Sequence, residues 1–376
     1  MNKDIFFIAP LPAFRKRTRL AKMVPVFLSR DYVVHLFGWE RLNNELDQCR
    51  WGDERVKEVL ILKGGGYVSR KARLMYPLWM MAVFIKTLRL GKNKTLFCLG
   101  WETAFPALIA SLFTKSKIIF DDADRFSMIV KLPKPFNSVL VSLEKWASRK
   151  SFIHLIPGWT RYDWRNDKML ILRNSPNSED FALAKKASPC RDAERLVVYI
   201  NGWVGNTRGA PIFLKALNSI SKQDARVVFH IAGRVDSPEG QLLIEHEKSI
   251  FYGEVSQSKA LEIYSISDVV LTYYDPAIEV NRHAESNKWG DCVFFETPFI
   301  VNSEVVTAEK FTSSGAAWKL KYSDVDGLVD LLIFLSRDRD ALKAGSYAIA
   351  QHKDDYPVFD LQLKRMVDKI EEGENV

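Results

Sequence analysis

Glu285, Ser286, Asn287 and Lys288 stand in a row, and Asp291 follows one helical turn later. Ser286 suits an N-cap, and the residues after it have the spacing of a short amphipathic helix. Pro298 stops that helix, and Phe299-Ile300-Val301 continue as a buried strand. A helix N-terminus presents unpaired N–H groups and partial positive charge, which suits a diphosphate. A carboxylate one turn further on, at Asp291, can accept both hydroxyls of a ribose. An ordinary helix–strand unit has the same apolar pattern, so the argument for a ligand rests on the polar cluster.

The first half offers a second set. The run Thr95–Leu99 reads as a strand that ends in Trp101 and Glu102. Lys117–Phe120 reads as another, ending in Asp121, Asp122 and Asp124. Open α/β sheets bind ligands at such strand ends. Three acids could hold a metal, but no further ligand cluster joins them, so no metal is expected. Glu102 with Asp122 or Asp124 could instead bind or deprotonate an acceptor hydroxyl; helix N-caps facing solvent are the alternative. Arg15, Arg17 and Arg19 follow the first strand, Ile5–Pro10, where they could hold phosphates or simply form a solvated basic face. That loop has no Gly-x-Gly-x-x-Gly, which disfavours a dinucleotide enzyme.

The elements needed to position these groups alternate as strand and helix along all 376 residues, enough for two domains with a full core each. The apolar fraction is 47 % and the charged fraction 27 %, so a folded globular protein is expected. The four cysteines lie far apart without metal-ligand spacing, and no signal peptide is recognised; a cytoplasmic protein is expected. Charge divides the chain. Residues 1–180 hold 31 Lys and Arg against 17 Asp and Glu, while residues 181–376 hold 23 against 29. The basic half therefore suits an anionic partner such as a membrane surface or a lipid diphosphate. Leu74–Ile85, twelve residues without a charge, is too short to span a bilayer. It reads as a buried helix, or as one resting on a membrane with Trp79 and its basic flanks at the interface.

The stretch Tyr274-Asp275-Pro276, Asn281, Glu285-Ser286-Asn287-Lys288, Asp291 and Pro298 resembles the sugar-nucleotide site of GT-B glycosyltransferases, most of all family 4. It departs from that pattern in having no proline between Ser286 and Asn287, Asp for Glu at 291, and Glu296 where glycine is usual. Eight residues before Asp291, where the family has a paired glutamate, stands His283, and Glu285 is the nearest carboxylate. The run Asn201-Gly202-Trp203-Val204-Gly205-Asn206-Thr207-Arg208-Gly209 is similar to the family's phosphate loop, which would bring Arg208 to the diphosphate. Gly202, Gly209, Gly233, Arg234 and Glu254 join the implied donor site, the last near the base.

The resemblance implies two Rossmann-like domains facing each other across a cleft. It places an acceptor domain at 1–175, a linker at 176–194, a donor domain at 195–355 and a final helix at 356–376 crossing back. It also implies a UDP- or GDP-sugar as substrate with no cofactor, and a lipid-linked or saccharide acceptor. The enzyme would act in bacterial cell-surface polysaccharide synthesis, peripheral to the inner face of the membrane. Arg208 and Lys288 would stabilise the leaving diphosphate without a metal. A nucleotide-sugar epimerase shares the fold but needs no basic domain. A non-catalytic binding protein built on basic charge is a third reading; no nucleic-acid motif accompanies it.

Overall fold

The computed structural model describes residues 3–374 apart from 12, 13, 17, 67–69, 131, 188–191, 193, 224 and 225; side chains at 16, 18, 49, 70–73, 373 and 374 are also outside the description. Arg17 is therefore outside the described residues. The chain forms two compact units, residues 1–172 with 360–376, and residues 173–359.

The first unit holds seven parallel strands: β1 (Lys3–Ala9), β2 (Tyr32–Glu40), β3 (Val56–Lys63), β4 (Thr95–Leu99), β5 (Lys117–Asp121), β6 (Ile153–Ile156) and β7 (Met169–Ile171). Their order is β3-β2-β1-β4-β5-β6-β7. The strands are near-continuous apolar runs because helices cover both faces of a parallel sheet. Helices Arg70–Leu90, Trp101–Thr114 and Lys134–Lys150 cover one face. They set Trp79, Val83, Ala104, Leu108, Leu140 and Ala147 against Phe6, Ile8, Leu96 and Phe120. On the other, Phe27 of helix Thr18–Leu28 meets Phe7 edge-on, at 5.4 Å between ring centres.

Trp79 is wholly buried and donates from Nε1 to Thr103 Oγ1 at 3.2 Å, so it is a core residue and not an interfacial one. The same helix exposes Leu74, Leu78, Met81 and Ile85 on its opposite side. It is therefore apolar on both faces. The last helix, Phe359–Glu374, returns to this unit through ion pairs of Glu371 with Lys3 and of Asp368 with Arg30, both at 2.7 Å.

The second unit has six parallel strands: β8 (Leu196–Asn201), β9 (Val227–Ala232), β10 (Ser249–Phe251), β11 (Val269–Thr272), β12 (Phe299–Asn302) and β13 (Ala317–Leu320). They run in the order β10-β9-β8-β11-β12-β13. Ser178–Ala187, in the stretch read as linker, is a helix in this unit, with Phe181 edge-on to Phe294 and Phe295.

Candidate functional site

Strand order in the second sheet reverses between β8 and β11, so the loops leaving those strands diverge around a crevice at their carboxyl ends. One wall is the segment 201–209 and the other is 273–287. Two links tie the walls together. The Asp275 N–H donates to the Thr207 carbonyl at 3.0 Å. Arg208 Nη1 donates to Asn281 Oδ1, also at 3.0 Å. Buried Asn281 is itself fixed, because its Nδ2 donates to the Asp275 carbonyl at 2.9 Å.

Two cations meet at one aromatic ring in this crevice. The Arg208 guanidinium lies 4.8 Å from the ring centre of Tyr274, and Lys288 Nζ lies 5.5 Å from it. Arg208 also lies 5.4 Å from the ring of Trp203, which is exposed. The ring faces attract the two charges, yet the charges repel each other, and a dianion between them would relieve that repulsion. Tyr274 in turn donates from its hydroxyl to Ser286 Oγ at 2.6 Å. Ser286 Oγ accepts the Lys288 N–H at 3.3 Å and so caps helix Asn287–Phe295, as its residue type predicts. Asn287 is exposed beside it.

The glycines have steric reasons. A Cβ on Gly233 would fall 1.8 Å from the Gly202 carbonyl oxygen, so the loops after β8 and β9 touch backbone to backbone. Gly233 N–H donates to the Gly253 carbonyl at 2.8 Å, which gathers all three glycines at the strand ends. Arg234 and Glu254 are exposed next to them. Gly209, at φ 88°, turns the chain into helix Ala210–Ser221 where a Cβ would lie 2.7 Å from the Phe213 ring.

Asp291 is buried, one turn inside its helix. Burial raises the Tyr264 and Tyr199 hydroxyls above the usual tyrosine range, and the Asp291 charge adds to this. Glu285 pairs with Arg173 at 3.7 Å. Gly290 lets the helix approach the segment 174–175, since a Cβ there would be 2.5 Å from the Asn174 carbonyl oxygen.

The acids of the first unit diverge. Asp121, fully buried, takes a bidentate pair from Arg19 at 2.7 and 2.8 Å, and Arg19 also donates to the Leu172 carbonyl. Arg19 thus binds a carboxylate of its own chain, while Arg15 is exposed. Asp124 is exposed and paired with Arg161 at 2.9 Å. Asp122 is buried; its Oδ2 accepts the Tyr162 hydroxyl at 2.8 Å and lies 3.6 Å from His154 Nε2, while its Oδ1 has no hydrogen-bond partner among the described residues. His154 is held from behind by Ser148 Oγ at 2.8 Å from Nδ1. Glu102, in the first turn of helix Trp101–Thr114, is pushed up to about 7 by burial, with the charge of Asp122 adding to the effect. Strand reversal between β1 and β4 puts Glu102 at the switch point of this sheet, and Asp122 follows the adjacent β5.

Sequence reasoning did not assign Trp203, Tyr274 or Asn281 as ligand-facing groups, nor Tyr162 and His154 as partners of Asp122. Tyr274 and Asn281 stood inside the motif. Trp203 stood inside the phosphate-loop run; Tyr162 and His154 carry no local signal, because their partner Asp122 lies far along the chain.

No family model and no curated protein matches the sequence. Solved structures match in fold. The Escherichia coli trehalose-6-phosphate protein bound with UDP-2-fluoro glucose superposes with a TM-score of 0.66 at 9 % identity, over 97 % of this chain and 98 % of that one. A glycosyltransferase from Rickettsia africae gives 0.64 at 12 %, over 99 % and 98 %. A protein from Listeria monocytogenes classed as a UDP-N-acetylglucosamine 2-epimerase gives 0.63 at 9 %, over 98 % and 95 %. The two Rossmann-like sheets are those of the GT-B fold, matched over nearly the full chain.

Proposed function

We propose that the protein is a glycosyltransferase that takes its sugar from a nucleotide-sugar donor held in the second unit. The observation that carries this reading is the pair of cations, Arg208 and Lys288, set around Tyr274 at the N-terminus of a capped helix. A diphosphate fits that charge, and Asp291 is the ribose ligand of the reading. Gly202, Gly233, Arg234 and Glu254 border the nucleoside, and Glu285 with Asn287 borders the sugar. Fold neighbours that bind UDP-sugars, or are glycosyltransferases, support it. Departure of the nucleoside diphosphate builds negative charge on the bridging oxygen, and the two cations and the helix end stabilise it without a metal. In the first unit Glu102, backed by Asp122, receives the acceptor hydroxyl's proton; Asp124 and Arg15 lie in the acceptor-binding role. The acceptor is a lipid-linked saccharide of cell-surface polysaccharide synthesis, met by a cytoplasmic enzyme peripheral to the inner membrane face.

The test is calorimetry with a panel of nucleoside diphosphates on wild type and Asp291→Asn. One diphosphate should bind, and the variant should lose about 1.5–3 kcal/mol, the worth of a charge-assisted hydrogen bond. Equal affinity in the two proteins would remove Asp291 from the site. The epimerase-like neighbour supplies a second reading. NMR of UDP-N-acetylglucosamine incubated with the protein alone separates the two, since an epimerase converts the donor without an acceptor.

A further inference from the structure

Helix Arg70–Leu90 carries five basic residues and no acid. Its outer side exposes Leu74, Leu78, Met81, Ile85 and Leu88, spaced four and three residues apart, with Leu74 75 % exposed. The neighbouring helix Trp101–Thr114 exposes Leu112 and Phe113 at its far end, the latter 67 % exposed. The third helix on that face, Lys134–Lys150, exposes Phe136 at 65 %, and Val139. All three pack on the same side of the first sheet, so the exposed groups belong to one layer. Apolar side chains in that number are more than a lone surface leucine calls for.

Charge distinguishes the occupants. The three helices contain two acids. Glu144 is buried against Arg125, and Glu102 sits in a first turn at the strand-end edge. Among the described residues the exposed charges on the three helices and on the turns at 91–94 and 115–116 are basic, namely Arg89, Lys92, Lys115, Lys134, Arg149 and Lys150, and the exposed acids nearby, Asp124 and Asp163, are paired with Arg161 and with Lys145. Four-and-three spacing would also suit pairing with a second copy. Such pairing would bring basic flanks onto basic flanks, with the nearby acids Asp124 and Asp163 already held by cations of their own chain, whereas an anionic lipid surface complements both the charge and the apolar rows.

We propose that this three-helix face docks on the surface of an anionic bilayer, with the apolar rows entering the interface and the basic rim meeting headgroups. No described helix is long and apolar enough to cross a bilayer, so the contact is peripheral. The inference deepens the glycosyltransferase reading, on which it rests for the benefit of a membrane-borne acceptor. Its helices begin at the strand-end edge that carries Glu102, so an acceptor anchored in the lipid is presented beside that edge.

Co-sedimentation with phosphatidylglycerol/phosphatidylcholine vesicles over a salt series tests it. Wild type should pellet at low salt and be released as salt rises, since screening acts within about 8–10 Å at physiological strength. It should not pellet with phosphatidylcholine alone. Leu78→Asp with Phe113→Asp should lower the partition coefficient at least tenfold. Lys92→Glu with Lys115→Glu and Arg149→Glu leaves the apolar rows intact and should lower it similarly at low salt. Wild type remaining in the supernatant with anionic vesicles overturns the proposal, as does wild-type binding by both variants. So does a dimer in light scattering that Leu78→Asp splits, because the face then belongs to a second copy. Nucleoside diphosphate calorimetry on the same samples keeps the two readings apart: vesicle binding without nucleotide binding sinks the donor assignment and leaves the docking face standing.

Discussion

Arg208 and Lys288 reach the same tyrosine from two sides of the crevice, one from the loop after β8 and the other from a helix N-terminus. If both stabilise the departing diphosphate, their value is greatest in the transition state. Arg208→Ala and Lys288→Ala should therefore each lower kcat more than they raise KM, with wild-type turnover unchanged by EDTA. A change confined to KM would make them ground-state ligands only. Glu102 supplies a second experiment. Its folded-state value of about 7 exceeds the ordinary 4.5, so the fold favours the protonated acid. The stabilisation is complete below about 4.5 and disappears as pH rises through 7. Wild type should thus lose stability relative to Glu102→Gln across that interval in urea titrations. Turnover should rise over the same interval, as the base forms, and the rise should be absent in Glu102→Gln. Some residue roles were legible because motif and site coincide locally, as at Ser286. Arg19 was not, since its carboxylate partner lies 102 residues away. Nothing in a local run of arginines reports such a partner.

At the scale of elements, apolar runs marked the strands and polar strand ends marked both crevices. Helix ends were harder. The residue at 296 shows why: glycine was expected there, and Glu296 takes the left-handed conformation that glycine tolerates, at φ 52°. The conformation comes from the helix end itself, where the Thr297 N–H donates to the Cys292 carbonyl at 3.0 Å, so the turn keeps its shape whatever residue occupies it. Glu296 also pairs with Lys353 at 2.6 Å, but both side chains are about half exposed and such pairs contribute little. Glu296→Gly should accordingly raise stability by about 0.5–1 kcal/mol in chemical denaturation. The apolar Leu74–Ile85 run illustrates a different limit. A uniformly apolar helix has no period to show which side is buried, so only packing could place Trp79 inside and Leu78 outside.

For the whole molecule, both sheets repeat one strand order, and the donor and acceptor roles are assigned to separate units. The first unit is made of two stretches, residues 1–172 and 360–376, on either side of the second. Lys3 on β1 pairs with Glu371, 368 residues later, and Leu363, Val367 and Ile370 of the last helix are buried. A chain emerging vectorially from a ribosome therefore makes its first sheet early and must wait until residues 359–374 have been made before that helix can pack on its unit. Residues 173–359 are complete in themselves by then. The order of maturation is thus inverted with respect to synthesis: the half made first is finished last. A chain stopped at Phe359 should keep a protease-resistant second unit that still binds nucleotide. Its first 172 residues, lacking their closing helix, should be digested, and a resistant first unit in that truncation would show that the sheet closes without waiting.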